Sequence, residues 1–113
     1  MNEHEVGWTA GIVDGEGYLG LESYNNKTTF CVRVGNTDTR MLCRLKELWG
    51  GKIYFNNRPD RPNNKPFWFW IIKGKINAYP CIKAIEPFLI VKREKAQVIL
   101  QFAIDRWGDK LKT

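Results

Sequence analysis

The sequence predicts an α+β fold, with a four-stranded antiparallel sheet and helices packed on one of its faces. The elements run in the order α-β-β-α-β-β-α(α), within a single domain spanning residues 1–113. Three observations lead there. Apolar spacing switches back and forth along the chain between a helical period and strict alternation. Turn residues separate the alternating runs in pairs, as hairpins require. At 113 residues and 43% apolar, the chain can bury one core and not two.

Asn2 and Glu5 have the spacing of a capping box, so the first helix should run from about Glu3 to Val13 or Asp14, with Gly15 as its stop. "YLGLESY" then alternates, with Leu19 and Leu21 inward and Tyr18, Gly20, Glu22 and Tyr24 outward. After the turn residues Asn25-Asn26-Lys27, "TTFCVRVGN" alternates again. Phe30, Val32 and Val34 face inward there, and Thr29, Cys31 and Arg33 face outward. Thr37 or Asp38 caps a second helix, whose stripe is Met41, Leu42, Leu45, Leu48 and Trp49 and whose stop is Gly50-Gly51. "KIYF" and "FWFWIIK" form a second hairpin, and the latter is apolar on both faces. A short helix from Asn77 to Ile85 ends at Pro87. The last helix runs from Lys92 to Trp107, with Ala96, Ile99, Leu100, Ala103 and Trp107 on one face. Trp8, Trp49 and Trp107 lie on apolar faces and are expected in the core, and so, with less to decide it, are Trp68 and Trp70.

A net charge of +6 and a pI near 9.4 favour a polyanionic partner. The loop from Asn56 to Pro66 concentrates Arg58, Arg61 and Lys65 with three of the five prolines. No run approaches the ~20 apolar residues of a membrane span, and the first residues form neither a signal nor a transit peptide. That points to an intracellular protein without a membrane partner. Cys31, Cys43 and Cys81 are odd in number and share no C-x-x-C spacing, so they are expected to be reduced thiols. The lone histidine, His4, has no zinc-binding company.

Gly15 to Gly20 fits G-x-G-x-x-G. A dinucleotide loop must follow a strand and open a helix, so that phosphate meets the positive helix end. Here the glycines follow a helix and precede a strand, and the match is spurious. Gly11 and Gly15 instead sit four apart on one helix face, bare where two helix backbones could touch. The touching partner is either this chain's own sheet or a second copy of the helix. A self-crossing pair would bring two Glu16 carboxylates beneath two negative helix ends. A divalent cation, or protonation, would then be needed to neutralise the cluster. The donors on offer, the Glu16 carboxylate and the Gly15 carbonyl, are oxygens and suit Mg²⁺.

The segment Thr9-Ala10-Gly11-Ile12-Val13-Asp14-Gly15-Glu16-Gly17 closely resembles the signature of the LAGLIDADG homing endonucleases. "NTDTRMLCRLKELWGG" is similar to the family's middle helix, and "IEPFLIVKREKAQVILQF" to its C-terminal segment and final helix. Thr9 stands where the family has its first leucine, and Glu16 where aspartate is commoner. Only one such motif occurs, and single-motif members act as homodimers on near-palindromic sites.

The resemblance implies a saddle-shaped sheet in each subunit and hydrolysis of double-stranded DNA at a long site, with Glu16 as metal ligand. Lys92 matches the family's active-site lysine, and Asn36 the polar residue that positions water in some members. Asp14 should be a structural cap or a group behind the metal ligand and not a ligand itself, because two residues along a helix turn it ~200° from Glu16. Mg²⁺ is the expected cofactor, with Mn²⁺ substituting and Ca²⁺ binding without supporting cleavage. Tyr18, Glu22, Tyr24, Thr29 and Arg33 are the candidate base readers of a ribbon in the major groove. Arg58, Arg61 and Lys65 are the candidate phosphate contacts. The expected setting is a bacterial or phage cytoplasm, or an organelle that encodes the protein. Two alternatives share the fold: a maturase binding intron RNA, and a DNA-binding protein without chemistry.

Overall fold

The computed structural model of the chain describes residues 1–56 and 66–112. Its order is α1 (Glu3–Glu16), β1 (Gly17–Tyr24), β2 (Lys27–Asn36), α2 (Thr39–Trp49), β3 (Lys52–Asn56), β4 (Phe67–Lys73), α3 (Tyr79–Ile85) and α4 (Arg93–Trp107). A π-helical turn at Gly74–Ala78 leads into α3, which therefore begins two residues later than the spacing suggested. The strands form one antiparallel sheet in the order β1-β2-β4-β3. The two hairpins thus meet along β2 and β4, and β1 and β3 are the edges.

Register sorts the side chains. Val32 lies opposite Leu19 on one side and Ile72 on the other, and Val34 lies opposite Trp70. All of these are buried and face the helices, with Phe30, Leu42, Leu45, Ile82, Ile85 and Ile99 completing the core. That settles the face of β4: Trp70 is fully buried, its indole N–H donating to the Gly50 carbonyl at 2.8 Å, and Trp68 packs against the core. Asn25 and Asn26 take positive φ of 50° and 63°, the two-residue turn that matches strand twist.

Two expectations of burial fail. Trp8 is 39% exposed instead of buried, and Leu21 keeps the inward face but lies on a stretch of hairpin that leaves it equally exposed. Cys43 is exposed as well, while Cys31 and Cys81 are buried and all three thiols are free. Burial, aided by the Glu22 carboxylate that accepts its S–H, pushes the Cys31 thiol up to about 12. No helix among the described residues is long and apolar enough to cross a membrane.

Candidate active site

The capping box at the start of α1 forms as expected. Asn2 Oδ1 accepts from the Glu5 backbone at 2.9 Å, and Glu5 Oε1 accepts from the Asn2 backbone at 3.0 Å. Thr9 explains its own departure from the motif. It is fully buried, donates to the Glu5 carbonyl at 2.8 Å, and accepts the Trp49 indole N–H at 3.0 Å. A leucine there would leave that indole without its partner, so threonine ties α1 to α2.

The C-terminal end corrects the expected boundary. The helix continues to Glu16, and Gly17, not Gly15, ends it, its N–H donating to the Val13 carbonyl. A Cβ on Gly17 would come within 2.8 Å of the Val13 backbone, closer than real Cβ atoms approach. Around Gly11 and Gly15, by contrast, a Cβ would meet nothing within 4 Å. The reading in which Gly11 packs on this chain's own sheet is therefore wrong. Gly11 and Gly15 lie on a bare strip of helix that also presents the exposed Trp8.

Asp14 and Glu16 point different ways. Asp14 accepts three backbone N–H groups just ahead of α4: Ile90 at 2.6 Å, Val91 at 3.1 Å and Lys92 at 3.0 Å. Lys92 reciprocates, its ammonium donating to the Asp14 carbonyl at 2.7 Å. A carboxylate thus sits at the positive start of one helix and an ammonium at the negative end of the other. Desolvation pushes the Asp14 carboxyl up, but the three N–H groups and the Lys92 charge together hold it below its ordinary value. The expected capping role of Asp14 is met, though its partners, 76 to 78 residues away, were not foreseen.

Glu16 is exposed, and Asn36 Nδ2 donates to its carboxylate at 3.2 Å. The Asn36 amide is itself oriented, because its Oδ1 accepts the Asp38 backbone N–H at 2.8 Å. The fold therefore gathers Glu16, Asn36 and, through Asp14, Lys92 at one end of α1.

Tyr18 and Arg33 lie directly opposite each other on the outward face, as do Glu22 and Thr29. Tyr24, at the strand's end, is exposed. Arg58, Arg61 and Lys65 lie outside the described residues. Two outward side chains escaped the sequence reading. Phe69 lies 5.9 Å from the Arg33 guanidinium, and the Lys95 ammonium stands 5.2 Å from the Tyr18 ring. Knowing the β2–β4 register would have revealed the first; the second joins α4 to the sheet edge and leaves no local signal.

No protein-family profile and no curated protein matches the chain. Solved structures do. The chain superposes on the homing endonuclease I-CvuI, solved with DNA in the presence of Mg, with a TM-score of 0.72 at 20% identity, over 98% of this chain and 76% of that one. The archaeal intron-encoded homing endonuclease I-Vdi141I, complexed with DNA, matches at a TM-score of 0.71 and 15% identity, over 89% and 67%. The LAGLIDADG meganuclease I-AabMI, bound to uncleaved DNA, matches at 0.67 and 18% identity, over 98% of this chain and 42% of that one. The chain has the LAGLIDADG homing-endonuclease fold.

Proposed function

We propose that the protein is a site-specific double-strand DNA endonuclease that works as a homodimer with a divalent cation. The observation that carries this reading is the end of α1. An exposed carboxylate, Glu16, stands beside two glycines whose missing side chains face open space. A second α1 crossing there would bring two Glu16 side chains together. The DNA complexes of I-CvuI, I-Vdi141I and I-AabMI support DNA as the substrate.

The donor set fits a hard cation. Glu16 and the Gly15 carbonyl offer oxygen only, and among the described residues no three His, Cys, Asp or Glu side chains gather. Mg²⁺ suits such a site, since it binds through one or two carboxylates and completes its shell with water and phosphate oxygens. Mn²⁺ should substitute, and Ca²⁺ should bind without supporting cleavage. When bound, the cation supplies Lewis acidity at the scissile phosphate and a more acidic water. The chain's own part is positional. Glu16 binds the cation, and Asn36 fixes the carboxylate that does so. Lys92 has three ammonium donors and gives one to Asp14, so the others can meet a phosphate oxygen or its water. Arg58, Arg61 and Lys65 set the salt dependence. Replacing all three in both subunits removes about six phosphate contacts and lowers the slope of log K against log salt by about five.

The test is to incubate the protein and Mg²⁺ with the exon junction flanking its own gene and with a plasmid library of near-palindromic sites. Paired cuts at one twofold site support the reading. Specific binding without cuts would make the protein a DNA-binding module, and preference for the intron transcript would make it a maturase.

A further inference from the structure

The outward face of the sheet departs from what a solvated face should be. Antiparallel sheets open to water carry polar side chains on that side. Here β4 turns Phe67, Phe69 and Ile71 outward, all partly exposed, while the core elements pack on the opposite face. Between them stands Arg33, 4.8 Å from the centre of the Tyr18 ring and 5.9 Å from that of Phe69. Ile71 is its direct cross-strand neighbour. Two glycines let the rings lie down. A Cβ on Gly35 would come within 2.6 Å of the Phe67 ring and 2.9 Å of Phe69, and one on Gly20 would collide with the Tyr18 hydroxyl. The surface is thin as a result, which a ribbon entering a groove about 12 Å wide requires.

Its charge is complementary to DNA. Lys52 and Lys73 share the outward face with Arg33, in the rows of Ile71 and Cys31 respectively. Aromatic rings on two sides attract and confine a guanidinium without using its hydrogen-bonding capacity. Among the described residues no hydrogen bond engages the Arg33 N–H donors.

We infer that this face is built to read a guanine set among thymines, Arg33 taking the guanine and Phe69 and Ile71 taking thymine 5-methyl groups. The inference rests on the endonuclease reading above and deepens it. Chemistry separates the two parts. A guanidinium matches the O6 and N7 acceptors of guanine, and an apolar side chain in the major groove has the thymine methyl as its one apolar partner. Successive outward residues on a strand are about 6.6 Å apart, so the methyl groups should lie within about two base steps of the guanine. Tyr18 acts as a positioning residue for Arg33. RNA does not suit the face, since uracil lacks the methyl and the A-form major groove is too narrow to read.

The experiment selects bound duplexes from a random DNA library, then replaces thymine by deoxyuridine at each enriched position. The expected result is an enriched G flanked by T. Each deoxyuridine under β4 should weaken binding on the order of fourfold, the worth of one buried methylene-sized group. Ile71→Gln, which replaces the apolar contact by an amide at a partly exposed position, should erase that sensitivity at one position per half-site. Tyr18→Leu should relax the guanine preference while leaving the thymine preference in place. Equal binding of deoxyuridine and thymine duplexes overturns the inference and leaves the nuclease reading standing. A selection that enriches no duplex overturns both.

Discussion

On one side of the last turn of α1, Asp14 is turned into the start of α4 and accepts three backbone N–H groups there. On the other side, Glu16 is turned to solvent and receives a single side-chain amide, from Asn36. The same chemical group stands in two different surroundings. Asp14 is saturated with donors and positioned against a helix N-terminus, so it has little capacity left for a cation. Glu16 keeps most of its lone pairs free. Lys92 bonds Asp14 twice, its backbone N–H to the carboxylate and its ammonium to the backbone carbonyl, so the last turn of α1 positions Lys92 as well as Glu16.

Substitutions that separate the two sides are best ranked by what they do to the fold. Asp14→Asn should have the largest effect. The amide keeps the shape but surrenders charge-assisted bonds, for a loss of about 1–2 kcal/mol, the low end because the site is partly solvated. Cleavage should fall less than stability, since the Lys92 ammonium is held by the Asp14 backbone carbonyl, which the substitution keeps. Thermal melting and cleavage of one preparation test both. A variant with unchanged melting would show that the carboxylate charge and the Ile90 contact contribute nothing.

Acid should reproduce that effect in the parent protein. The Asp14 carboxyl is held below its ordinary value of 3.8, so its stabilisation is complete above that value. It is lost as pH falls through the lower folded-state value. Melting temperature followed downward from pH 5 should decline more steeply in the parent than in Asp14→Asn. Parallel curves would remove Asp14 from the acid response.

Gly15→Leu should leave the single chain as stable as before, or slightly more so, since leucine favours a helix by several tenths of a kcal/mol over glycine. The space at that position is open within the chain. The dimer and cleavage should nonetheless both fail, because the side chain would hold two helix backbones apart. Sedimentation at micromolar concentration decides. A parental dimer would place the interface elsewhere.

Much of this turn is legible in the sequence, and what is not has physical causes. The capping box and the turn and inward face of the first hairpin come from local spacing. The helix boundary does not. Gly15 and Gly17 look alike as stop signals, and only the contact with Val13 shows that Gly17 is the stop while Gly15 is bare for another reason. Trp8 sits where an apolar face should be buried, yet within one chain it stays exposed, as it would on a surface that a second copy covers. Asp14 and Lys92 find each other across most of the chain, and Arg33 meets Phe69 only through the β2–β4 register. Spacing rules cannot reach contacts of that kind.

Glu16→Gln should disturb the fold least, with a melt indistinguishable from the parent, because the carboxylate is exposed and its one amide contact has a substitute. Its effect belongs to the chemistry. With Mg²⁺ and the cognate duplex, Glu16→Gln should bind as tightly as the parent, or more tightly, since two negative charges near the phosphates are gone. It should cut neither strand. Cleavage at the parental rate by a variant that binds and melts normally would contradict the assignment of Glu16, and with it the division of labour between the two sides of the turn.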